Sequence, residues 1–133
     1  MTKQLSTQDI VKRYCASKKE SARWKELYAW LLQSINQNTH RILRTNNTLF
    51  LIELGAPHEA EVFVINAEPY KQLFKNLEDF CKAMEKAGFK KVWAETEDIN
   101  LLHLVKRLGY PMTIEKVGTG QNDRVLYRGT VNV

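Results

Sequence analysis

EAEVFVI at 59–65, YKQLFKNLEDFCKAMEKA at 70–87 and KKVWAET at 90–96 decide the fold, because their periods differ. The outer two segments are short, rich in β-branched and aromatic residues, and long enough for strands of ordinary length. The middle one repeats its apolar residues every three or four positions. Tyr70, Leu73, Phe74, Leu77, Phe80, Cys81, Met84 and Ala87 form one stripe, while Lys71, Lys75, Glu78, Asp79, Lys82, Glu85 and Lys86 take the other faces. Gly88 follows the last turn, where a left-handed cap costs glycine least. Strand, helix and strand with a crossover of this length make a βαβ unit with parallel strands and a right-handed connection.

Such units bind ligands at the carboxyl ends of their strands, beside a helix N-terminus whose free N–H groups and dipole favour an anion. Here that place is 66–73. Pro69 suits a first helical turn, and Lys71 and Lys75 add positive charge. The plainer reading is that every βαβ unit has such an end and that these lysines are merely solvated.

Working outward, Gln4-Leu5 reads as a short opening strand and Ser6 as an N-cap with Asp9 three positions on. Ile10, Val11, Tyr14 and Cys15 give one helix its apolar side. Trp24, Leu27, Tyr28, Leu31, Leu32 and Ile35 stripe a second helix over 21–36, and an aromatic stripe of this kind ordinarily belongs to a core. HRILRT and TLFLIEL flank Asn46-Asn47, a tight turn, and Gly55-Ala56-Pro57-His58 turns the chain again. Three antiparallel strands therefore precede the βαβ unit. A short helix ends in Leu108-Gly109-Tyr110, Pro111 ends helix formation, and MTIEKV and RVLYRGTV close the chain as a hairpin around a flexible loop at 118–123. Gly118 and Gly120 are a hairpin tip rather than a phosphate loop, since no further glycine and no helix follow. The expected order is β-α-α-β-β-β-α-β-α-β-β, an α/β (α+β) domain with a mixed sheet of six to seven strands.

Composition bounds the function. A chain of 133 residues is one domain, 44% hydrophobic and 26% charged, with formal net charge +5. No apolar run suffices for a membrane span, and the start lacks a signal-peptide core, so a cytoplasmic location is expected. Basic residues are spread along the chain and match no nucleic-acid reading motif, which disfavours nucleic acid as a partner. Cys15 and Cys81 lie on apolar helix faces and read as buried thiols. His40, His58 and His103 show no ligand spacing, and no metal is expected.

The order and lengths resemble the GNAT family of acyl-CoA N-acyltransferases over nearly the whole chain. The likeness is carried by LSTQDI at 5–10, by the long helix ending at Gly88-Phe89-Lys90-Lys91, and by DINLLHLVKRLGY at 98–110 with its Leu-Gly-Tyr ending. The resemblance implies a cleft beside the strand at 59–65, acetyl-CoA or another acyl-CoA as donor, an amine acceptor, and frequent homodimers. It implies donor-binding residues at Ile65, Asn66, Ala67, Tyr70, Lys71, Gln72, Leu73, Phe74 and Asn100, with N–H groups of 65–67 polarising the acyl carbonyl. Counted from Gly88, the family's Arg/Gln position is Glu68 and its two loop glycines are Lys71 and Leu73. Counted from Gly109, its asparagine is Asp98 and its thiolate-protonating tyrosine is Val105.

A carboxylate must take the acceptor's proton. Glu61, Glu59 and Glu95 are the candidates, with Glu53 and Glu97 beside them; strand alternation puts Glu59 and Glu61 on one face with Phe63 and Ile65. The function so implied is transfer of an acetyl or acyl group from acyl-CoA to an amine. The alternative is a non-catalytic GNAT-fold scaffold of the short, divergent phage type, host-interacting or virion-associated.

Overall fold

The computed structural model describes residues 4–120 and 123–133. Helix α1 (Thr7–Ser17) starts at Ser6, whose side chain accepts from the Asp9 N–H. A 3-10 turn (Ser21–Arg23) leads into α2 (Trp24–Asn36). Strands β1 (Arg41–Thr45), β2 (Thr48–Leu54) and β3 (Glu59–Asn66) form an antiparallel meander, and α3 (Tyr70–Lys86) crosses to β4 (Lys91–Thr96). Then come α4 (Ile99–Lys106), β5 (Met112–Thr119) and β6 (Val125–Asn132). The described residues form a six-stranded sheet in the order β1-β2-β3-β4-β6-β5, with β3 and β4 parallel and the other neighbours antiparallel.

Among the described residues, Gln4 and Leu5 do not form the expected opening strand. Leu5 pairs with no strand; instead its N–H donates to Asn47 Oδ1 (2.9 Å) and its carbonyl accepts from Arg44. Gly118 and Thr119 belong to β5 rather than to a loop, with a register shift between Lys116 and Gly118. Gln121 and Asn122 of the expected loop lie outside the described residues. Leu32, expected in the α2 stripe, is exposed.

Each sheet face carries a core. Leu73, Leu77, Phe80 and Met84 of α3 pack on Phe50, Ile52, Val62 and Val92, with Phe50 and Phe80 stacked 4.2 Å apart. Ile10, Val11, Cys15 and Leu31 of α1 and α2 cover Leu49, Leu51 and Ile65. Neighbouring positions of one strand thus serve opposite cores, which follows from the period of two. The α3 cap is as expected: Gly88 has φ +93°, and the Phe89 N–H returns to the Met84 carbonyl at 3.1 Å.

Candidate active site

β3 and β4 pair only at Glu59–Lys91, Ala60–Val92 and Glu61–Trp93. β3 continues to Asn66, still paired with β2, and β4 continues to Thr96, still paired with β6. Both walls are held by their outer neighbours while the inner edges part. Glu59 uses its N–H and carbonyl on the β2 side, bonding Ala56 and Gly55. By alternation, Glu61, Phe63 and Ile65 also face β2, and the Val64 peptide groups point into the gap with no strand partner.

The gap opens into a cavity of about 440 Å³. Val62, Val64, Ala94 and Leu101 supply apolar wall, and Arg13, Tyr14 and Ser17 of α1 with its C-cap Lys18 line another side. At its end lie residues 66–70. The Pro69 carbonyl accepts from Gln72 N (3.0 Å) and Leu73 N (2.9 Å). The N–H groups of Tyr70 and Lys71 meet no protein acceptor among the described residues, leaving two donors of the first helical turn free.

A buried polar network holds that end in place. Asn66 Oδ1 accepts from Thr48 Oγ1 (2.8 Å) and from Glu68 N (3.1 Å), and Asn66 Nδ2 donates to the Glu68 carbonyl (2.7 Å). Asn76, fully buried, donates to Thr48 Oγ1 (2.9 Å) and Glu68 Oε2 (2.5 Å) and accepts from Asn46 (2.8 Å) and Gln72 (3.0 Å). Glu68 is 8% exposed, and its Oε1 has no hydrogen-bond donor. Leu73 is 2% exposed and joins the α3 core.

On the α1/α2 face of the sheet, Glu61 stands opposite Glu53 in the β2–β3 register. Burial, then the Glu53 and Glu95 carboxylates, raises its carboxyl above the ordinary value. Glu95 accepts from Arg128 Nε (3.1 Å) and Nη2 (2.5 Å). Phe63 lies between two rings, edge-on to Tyr14 and Trp30, each at 6.1 Å. Lys18, the C-cap of α1, bridges to Asp98, the α4 N-cap, at 3.5 Å across the cleft mouth.

Of the residues singled out in the sequence, Asn66, Ala67, Tyr70, Leu73 and Glu95 line this cleft, and Glu61 stands where the strands begin to part. Glu59 lies two positions deeper in the paired region. Ile65 belongs to the α1/α2 core, Gln72 to the network, and Phe74 lies under Arg107 (5.5 Å). Lys71 is exposed, and Asn100 is exposed with its N–H spent on Asp98. The expected polarising N–H groups at 65–67 need correction. Ile65 faces β2 and Ala67 donates to the Asn47 carbonyl (3.1 Å), whereas the Asn66 N–H, like that of Val64, points toward the gap by the same alternation. Glu97 pairs loosely with Arg124 (3.9 Å). His40 Nε2 lies 3.6 Å from Glu53, His58 contacts the Gly88 carbonyl, and His103 is exposed. Among the described residues no group of three or more His, Cys, Asp or Glu could hold a metal, and no helix is long and apolar enough to cross a membrane.

Val105 packs against the core. The phenols at the cleft are Tyr14 and Tyr70. Burial above all, then nearby Cys15 and carboxylates, pushes Tyr14 up to about 12; burial and Asp98 raise Tyr70. Tyr14 and Lys18 were not read as site residues. Their spacing of four on α1 was visible, but Tyr14 also fits the apolar stripe.

No protein-family model and no curated protein matches the sequence. Solved structures do match. A ribosomal-protein-alanine N-acetyltransferase from Brucella melitensis is 12% identical, with 96% of this chain and 97% of that one covered and a TM-score of 0.60. A variant of the spermidine N-acetyltransferase from Vibrio cholerae is 15% identical over 99% and 95%, with a TM-score of 0.55. A ribosomal-protein-alanine N-acetyltransferase from Escherichia coli is 17% identical over 98% and 92%, with a TM-score of 0.52. Likeness of this breadth at such low identity speaks for architecture, and with the parted β3 and β4 strands it establishes that the chain has the GNAT acyl-CoA N-acyltransferase fold.

Proposed function

We propose that this protein is an N-acyltransferase moving an acyl group from acyl-CoA to an amine. The observation that carries the reading is the parting of β3 from β4 immediately after Glu61 and Trp93. It leaves an apolar slot with a free peptide edge on one side and a half-buried carboxylate at its inner end.

The residues present fit such a donor. Val62, Val64, Ala94 and Leu101 offer wall to an acyl-pantetheine arm. The free Tyr70 and Lys71 N–H groups, with the Lys71 and Lys18 ammonium groups nearby, offer donors and charge to the diphosphate. Glu68 does not oppose it at the surface, because its carboxylate is buried against Asn76. The donor supplies an activated thioester carbonyl.

The Val64 and Asn66 N–H groups are placed to polarise that carbonyl, as preorganised backbone dipoles in a sheltered slot. Glu61 takes the proton from the acceptor ammonium, directly or through one water; its raised carboxyl makes it a better base than an ordinary glutamate. Tyr14 and Tyr70 both hold their protons at neutral pH and face the cleft, so a phenol is at hand for the leaving thiolate although Val105 has none. The acceptors named for two solved neighbours, ribosomal-protein alanine and spermidine, are amines and support an amine acceptor here.

A thermal shift with acetyl-CoA tests the reading. Donor at a hundred times its dissociation constant stabilises the fold by about 2.7 kcal/mol. No shift at millimolar donor would sink the proposal.

A further inference from the structure

Behind Phe63, away from the donor slot, lies a second cavity of about 410 Å³. Its walls are rings. Trp30 and His40 meet edge to face at 5.2 Å, and Trp30 and Phe63 at 6.1 Å. Trp30 is 40% exposed and Phe63 36%, large surfaces to leave uncovered on a core-facing side of the sheet. Leu27 and Leu51 make the apolar floor, and Glu53 and Glu61 face in from adjacent strands.

The charge here has the wrong sign for the protein. The chain carries a net charge of +5, yet no lysine or arginine lines this cavity among the described residues. Glu53 and Glu61 stand directly opposite one another in an antiparallel pair, a placement that costs stability unless a cation lies between. His40 answers Glu53 at 3.6 Å, and balances charge only when its imidazole is protonated. Perpendicular aromatic faces with carboxylates beside them attract organic cations.

We propose that this box is the acceptor subsite and that it takes a primary alkylammonium. The cation sits among Trp30, Phe63 and His40 with Glu53 and Glu61 opposite, and its methylenes run over Leu27 and Leu51. The proposal rests on the acyl-transfer reading for its role, but the box itself does not need the donor. Phe63 is the shared wall: it also lines the donor slot, so a cation held on one side stands next to a thioester held on the other. Trp30 thereby becomes the residue that selects the acceptor.

The test uses the full chain without acyl donor, carrying Trp24→Phe and Trp93→Phe so that Trp30 alone fluoresces. Butylammonium is titrated against butanol and butyrate. The expected result is a saturable change with butylammonium at millimolar concentration and none with the neutral and anionic isosteres. By calorimetry, Trp30→Ala weakens butylammonium about tenfold, and Glu61→Gln weakens it as well. Trp30 is well exposed, so its truncation leaves the core intact. In turnover with acetyl-CoA, Trp30→Ala raises KM for the amine far more than it lowers kcat. No saturable change, equal response to butanol, or unchanged affinity in Trp30→Ala overturns the box. Amine binding of the expected kind without any acyl transfer would leave the box standing and remove the acyltransferase reading. Acyl transfer to alkylamines indifferent to Trp30→Ala would do the reverse.

Discussion

Asn76→Ala is the substitution that most directly probes how the end of the cleft is held. Asn76 is fully buried on the sheet side of α3 and makes four side-chain hydrogen bonds. Two of its partners, Asn46 and Gln72, reach solvent and recover their bonds from water. The other two do not: Thr48 is fully buried and Glu68 is 8% exposed. A bond to a charged group is worth about 1.5–3 kcal/mol and a neutral one about 0.5–1.5 kcal/mol. Truncation also strands a carboxylate whose other oxygen already has no donor. The expected loss is about 3 kcal/mol, a large part of the roughly 5–15 kcal/mol that holds a domain together.

Urea unfolding followed by circular dichroism reads this directly. With a slope of about 1.5–2 kcal/mol per molar, the midpoint falls by about 1.5–2 M. Glu68→Gln, which removes the charge but keeps the shape, costs much less. In a double-mutant cycle with alanine at both positions, the coupling is about 2 kcal/mol. A loss below about 1 kcal/mol for Asn76→Ala, or an equal loss for Glu68→Gln, would refute the view that this network supports the end of the cleft.

Further outcomes follow from the same coordinates. Gly88→Ala places a side chain at φ +93° where no atom stands within 4 Å, so strain alone acts and thermal melts show a loss of about 1–2 kcal/mol. Because Glu61 is raised above its unfolded value, the stability linked to it is full below the ordinary glutamate range and lost as pH rises through the folded value. At neutral pH Glu61→Gln therefore stabilises by about 0.5 kcal/mol in melts, while acyl transfer falls. Tyr14, pushed up to about 12 from 10, carries stability that is complete below pH 10 and declines toward pH 12; Tyr14→Phe removes that part of the alkaline loss, and phenolate absorbance shows the late titration. Burial pushes Cys81 up to about 11, so its thiol resists disulfide reagents in the folded protein and reacts only on unfolding.

The βαβ unit was legible because its segments carry unmixed periods, and the caps at Ser6 and Gly88 because each rests on a local rule. The parting of β3 and β4 was not readable from pattern. EAEVFVI has the same composition whether its edge is paired or free, and only the resemblance pointed to a cleft. The polar network was hidden for another reason. Asn46, Asn47, Thr48, Asn66 and Glu68 each read as turn or surface residues, and only the Thr48–Asn66 register brings them together. Asn76 alone left a trace: it falls between Leu73 and Leu77 on the buried side of α3, a polar residue at a core position, which calls for buried partners. Trp30 escaped because it lies off the α2 stripe, and an exposed tryptophan has no periodic signature.

The end of the cleft shows how a helix start can remain available to an anion without loop glycines. Glycine in such a loop serves by removing side chains from the backbone's approach. Here Leu73 achieves the same by being drawn into the core with Phe50 and Phe80, while Lys71 stands in solvent, so neither position demands a missing side chain. That solution requires α3 to be anchored firmly against β2, since a shift of the helix would bring Leu73 out over the free Tyr70 and Lys71 N–H groups. The Asn76 bonds to Thr48 and Glu68 tie the helix to β2 and to the loop at once. The buried Glu68 carboxylate is thus part of the device that keeps Leu73 off the helix start, and its burial follows from the need to meet Asn76.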